Sequence, residues 1–168
     1  KVPWNVLVEK IDAGQTDGKV HPYCGGSLIT AQHVLSAAHC YWTNENLAGV
    51  CPKEFLLMSA NDCDRRGCPS SCTRLGPEDV RLHLGITRRS EANPDTSMEV
   101  QSISIHPKWD KTDQLNDIFA GHDIALLKML REVPSYSSRV VPICLPDPVR
   151  DRYLMKEDTE VDVAGFGI

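Results

Sequence analysis

The stretch "VLSAAHCYW", from Val34 to Trp42, sets His39 beside Cys40 behind two small residues. A histidine in such a run can pack, bind a metal or move a proton, and an adjacent cysteine fits all three roles. Much further along, "HDIALLKM" puts Asp123 at the head of an apolar run. A carboxylate at the start of a buried strand needs a hydrogen-bond partner, because burying it unpaired is costly. An imidazole N–H is one such partner, and a turn that the aspartate caps is the other reading. If the two meet, they have the chemistry of a general base and the group that orients it.

The seven cysteines are Cys24, Cys40, Cys51, Cys63, Cys68, Cys72 and Cys144. So many in a short chain predict disulfides and an oxidising compartment. Zinc is the competing reading, but zinc sites favour C-x2-C pairs. The close spacings here are Cys63-x4-Cys68 and Cys68-x3-Cys72. Cys51, Cys63, Cys68 and Cys72 can close two bridges among themselves, in any of three connectivities. If "CGGSLIT" and "HVLSAAHC" pair as an antiparallel hairpin, Cys24 and Cys40 can meet and hold His39 rigidly.

The elements that must position these groups read as strands. "DVRLHLG" alternates Val80, Leu82 and Leu84 against Arg81 and His83, which predicts an outward His83. "EVDVAG" alternates Val161 and Val163 against Glu160 and Asp162. "WNVLV", "GSLIT", "DIALLKM" and "VVPICL" are short apolar runs bounded by Gly, Pro or charge. "EVQSISIHP" alternates imperfectly, as a bulged strand does. Residues 37–42 suit one helical turn. Many short strands with turn signals between them predict a barrel or sandwich.

Composition agrees with a soluble globular chain. Of 168 residues, 41% are apolar and 24% charged, and the net charge is −5. No long basic run points to nucleic acid. No apolar stretch is long enough for a membrane-spanning helix. Lys1 opens directly into "KVPWNVLVEK" with no leader pattern, so a leader is expected to be removed or to lie outside these residues. Residues 43–76 and 87–97 are polar and read as insertions, the first needing its own bridges to hold one shape.

Five segments, in order, resemble the trypsin/chymotrypsin-like serine proteases: "VPWNVLV", "CGGSLIT" with "HVLSAAHC", "GHDIALLKM", "VVPICLP" and "VDVAGFG". The likeness covers most of the chain outside residues 43–76. It implies an all-β fold, an antiparallel six-stranded Greek-key barrel over residues 1–146. Residues 147–168 would then be a linker and the first strand of a second barrel. It also implies that His39 is the general base, that Asp123 orients it, and that Cys40 is a staple to Cys24. In members that keep a pro-segment, a cysteine at the place of Cys144 tethers it, so the likeness implies a link from Cys144 to a cysteine before Lys1.

The departures are equally specific. No "IVGG"-like start precedes Val2, and neither "GDSGG" nor a GxSxG elbow occurs, so no serine stands in a nucleophile context. Ser27 and Ser36 lie in the paired strands and read as structural. Relatives that bind calcium have an acidic residue after the glycine matching Gly85. Ile86 stands there instead, so neither a metal nor a cofactor is expected. His21, His33, His83, His106 and His122 carry no zinc-ligand spacing. His33 is expected to pack, and His122 to be a solvated neighbour of Asp123.

The expected function is part of a secreted serine endopeptidase whose nucleophilic serine lies outside these residues. Its partners would be protein or peptide substrates and protein inhibitors, without nucleic acid or membrane. The alternative is a non-catalytic protease homologue that serves as a binding or cofactor module.

Overall fold

The structure is a computed structural model, and it describes residues 2–11, 22–44, 49–50, 73–109, 122–147, 149, 151 and 158–167. Nine strands occur among them. They are β1 (Asn5–Lys10), β2 (Pro22–Leu28), β3 (His33–Ser36), β4 (Trp42–Asn44), β5 (Gly49–Val50), β6 (Thr73–Arg74), β7 (Val80–His83), β8 (Ser97–Ile105) and β9 (Ala125–Met129). Six close into a barrel in the order β1-β2-β3-β9-β8-β7, with every neighbouring pair antiparallel. The short apolar runs predict a barrel or a sandwich and the family resemblance implies the barrel, which is the fold of this chain.

Alternation builds the interior. In β9, Ala125, Leu127 and Met129 are buried while Leu126 stands exposed between them. They meet Val6 and Val8 of β1, Leu28 of β2, Val34 of β3, Leu82 of β7 and Val100 of β8. Each fully buried Val or Leu contributes roughly 1.5–3 kcal/mol by leaving water. The imperfect alternation of "EVQSISIHP" has the expected cause, a register shift in β8 between Val100 and Ser102.

After β3 the chain makes a single 3₁₀ turn, Ala38–Tyr41, where one helical turn was expected. Tyr41 is fully buried there. Burial pushes its phenol well above the usual tyrosine range, so the ring stays neutral. The ends of the 43–76 insertion are tied together directly beyond this turn. Trp42 pairs with Arg74, Thr43 with Thr73, and Thr43 also with Val50.

Three expectations need correction. His83 has the parity of an outward residue but is only 1% exposed. It is covered by Glu9 of β1, whose Oε2 lies 2.9 Å from its Nε2, and by Thr96, whose Oγ1 lies 3.0 Å from its Nδ1. "VVPICL" forms no strand. Pro142 and Pro146 remove the donors a ladder needs, and isolated bonds hold the segment instead, such as Ile143 N–H to the Leu28 carbonyl at 2.8 Å. "EVDVAG" pairs with no strand among the described residues, and Val161 and Val163 stand exposed. Alternation alone leaves the backbone without a ladder. The Arg89 guanidinium donates to the carbonyls of Phe166 and Gly167 and holds this segment against the 87–97 loop.

Candidate active site

The barrel's own register brings His39 and Asp123 together. Strands β3 and β9 run antiparallel, with Ser36 opposite Ala125. The residues just past the end of β3 therefore lie beside those just before the start of β9. His39 sits in the 3₁₀ turn after β3, and Asp123 stands two residues before β9. A sequence separation of 84 collapses to hydrogen-bond distance.

Two bonds join the pair. The His39 main-chain N–H donates to Asp123 Oδ1 at 2.9 Å, and His39 Nδ1 lies 2.6 Å from Asp123 Oδ2. A carboxylate only accepts, so Nδ1 carries the proton and Nε2 of the neutral ring is left as the basic nitrogen. The two side chains are 43% and 38% exposed, so the ring is open to an incoming group.

Cys24 of β2 and Cys40 of the turn form a disulfide. Cys24 is anchored opposite Val8 of β1, so the bridge pins the turn that carries His39 to the barrel wall. The Cys40 sulfur also lies 3.6 Å from His39 Nε2. Cys24, His39 and Cys40 thus place three metal-ligating atoms within 4.8 Å of one another. The metal ligand is a thiolate, and disulfide sulfurs have no thiolate charge to offer. The group is a staple beside a base.

The remaining histidines divide. His33 Nδ1 lies 2.8 Å from Thr30 Oγ1, half-buried at the start of β3. His106, in the loop after β8, and His122, exposed beside Asp123 as expected, also stack on each other. Their ring centroids are 4.5 Å apart and their planes 8° from parallel. The signal was the β8–β9 pairing, which sets Ile105 opposite Ala125 and so places both histidines at one end of the ladder. Cys144 is exposed and has no disulfide partner among the described residues. His21, Cys51, Cys63, Cys68 and Cys72 lie outside the described residues.

Residues 1–55 and 48–168 match the family described as trypsin. Melanization protease 1 of Drosophila melanogaster is 31% identical over 172 residues, covering 98% of this chain and 36% of that protein. Serine protease ea of the same fly is 31% identical over 170 residues, with 98% and 37% covered. Coagulation factor XI of Bos taurus is 31% identical over 166 residues, with 98% of this chain but 19% of that protein covered. The chain therefore spans well under half the length of these relatives. Since the family match runs from one end of the sequence to the other, the chain is a member of the trypsin family.

Proposed function

We propose that the chain carries the histidine and aspartate of a secreted trypsin-like serine endopeptidase, with the nucleophilic serine outside these 168 residues. The observation that carries this reading is the pair of bonds from His39 to the Asp123 carboxylate, at 2.9 and 2.6 Å. Asp123 fixes the tautomer with Nδ1 protonated, and Nε2 accepts the serine proton as the hydroxyl oxygen attacks a peptide carbonyl. The imidazolium that forms is stabilised by the carboxylate beside it. It then gives its proton to the leaving amine, and the acyl-enzyme is hydrolysed by water in a second step.

The absence of a "GDSGG" or GxSxG stretch supports placing the serine elsewhere. The Cys24–Cys40 disulfide supports an oxidising, extracellular setting. Substrates are then proteins or peptides, and protein inhibitors are the natural antagonists. Cys144, exposed and without a disulfide partner among the described residues, supports a disulfide tether to a pro-segment preceding Lys1.

The test is a fluorophosphonate probe and a peptide substrate applied to the natural full-length protein and to its His39→Ala variant. Stoichiometric labelling of the natural protein, with turnover lost in the variant, is expected. A natural protein that neither labels nor cleaves would identify the chain as part of a non-catalytic homologue. Labelling of the isolated 168-residue chain would place a nucleophile inside it.

A further inference from the structure

Asp123 stands in a backbone turn that its neighbour keeps in a rare conformation. His122 has φ of 79°, in the left-handed region that non-glycine residues seldom adopt. The Ile124 N–H closes the turn on the His122 carbonyl at 2.7 Å. Such a conformation persists only where the surroundings over-determine it. What holds His122 is the face of His106, stacked at 4.5 Å. His106 is itself fixed from two sides: its N–H donates to the Ile124 carbonyl at 3.0 Å, and its Nδ1 accepts the Lys108 N–H at 3.2 Å. The stack and the aspartate turn therefore form one unit.

That unit suits neutral rings only. His106 Nδ1 is an acceptor, so a proton placed there would break the bond from Lys108 N–H. Two charged imidazoles face to face would repel. The charged groups about His122 among the described residues are His106 and Lys108 at the end of β8, and Asp123 beside it in the chain. Desolvation, then the His106 ring, then Lys108 all hold the His122 imidazole below its usual range.

We propose that His122 is a positioning residue for Asp123, acting through its stack on His106. The proposal rests on the catalytic reading of His39 and Asp123.

The experiment uses the natural full-length enzyme and measures kcat and KM across pH for His122→Asn and His106→Phe. Asparagine tolerates the left-handed backbone but cannot stack as an imidazole. We expect His122→Asn to lower kcat about tenfold with KM little changed, a smaller loss than the roughly hundredfold that a misplacement of about 1 Å can cause. We expect His106→Phe, which keeps a ring face for His122 to stack on, to retain more of kcat than His122→Asn does. Unchanged kcat in His122→Asn would overturn the positioning role. Full activity in His39→Ala would instead overturn the catalytic reading on which it depends.

Discussion

The Asp123 carboxylate is bonded twice by one residue: Oδ1 to the His39 main-chain N–H and Oδ2 to the His39 ring nitrogen. The first bond fixes where the carboxylate lies, and the second fixes which ring nitrogen carries a proton. Both use only its acceptor character.

That division gives the prediction for Asp123→Asn. An asparagine can still accept the main-chain N–H through its carbonyl oxygen. Its amide nitrogen, a donor, then faces Nδ1 and favours the tautomer with the proton on Nε2. The base is lost while the geometry survives, and kcat should fall on the order of 10⁴-fold. Steady-state kinetics on the natural full-length protein checks this, with binding of a small competitive inhibitor expected to change little. A loss below tenfold would count against the pairing's catalytic role.

The disulfide should hold this arrangement in place. Cys24 and Cys40 are 16 residues apart in sequence, and closing a loop of that size stabilises by about 3 kcal/mol in the chain-entropy account. The double variant Cys24→Ala with Cys40→Ala should lose about that much in urea unfolding of the natural protein. It should also lose kcat, because the turn bearing His39 then loses its covalent anchor to β2. A variant that loses stability but keeps kcat would show that the staple acts on the fold alone.

How far the sequence could be read depended on what each pattern encodes. Alternation at Val80, Leu82 and Leu84 revealed β7, because period two is a local property of the strand. It could not reveal that His83 is covered, since Glu9 lies across a ladder and Thr96 in a following loop. Asp123 and His39 could be matched through their resemblance to a family, yet their contact depends on the Ser36–Ala125 register, which no local pattern states. Val161 and Val163 show the reverse case, a strand pattern without a ladder among the described residues.

The buried Glu9–His83 pair leads to a prediction of its own. The Thr96 hydroxyl proton is spent on the Asn93 carbonyl at 3.0 Å, so Thr96 Oγ1 accepts from His83 Nδ1–H. One further proton then lies between His83 Nε2 and Glu9 Oε2, 2.9 Å apart. Glu9→Gln can donate an amide proton to Nε2 and should cost under about 1 kcal/mol. Glu9→Leu leaves that buried nitrogen unpaired and should cost about 1–3 kcal/mol. Denaturant titration of both variants checks the order. Equal losses would mean that the bond at Nε2 contributes nothing of its own.

Two neighbouring glycines of β2 should respond in opposite ways to alanine. A Cβ on Gly26 would lie 2.7 Å from Val34 Cγ1 and 2.9 Å from the Leu35 carbonyl oxygen. The second contact is with backbone, so β3 itself would have to move away. Gly26 is paired with Ser36 at the end of β3, and the His39 turn begins directly beyond. Gly26→Ala should therefore cost about 1–3 kcal/mol, as overpacking of a tight site does, and should lower kcat by shifting His39. A Cβ on Gly25 meets nothing nearer than the Val6 carbonyl oxygen at 3.8 Å, an ordinary contact. Gly25→Ala relieves the entropy that a strand glycine loses on folding, so stability should stay level or rise by up to about 1 kcal/mol. Urea unfolding and kinetics on the two variants of the natural protein separate these outcomes. If Gly25→Ala is the more damaging of the two, the β2–β3 approach is not what requires glycine in this strand.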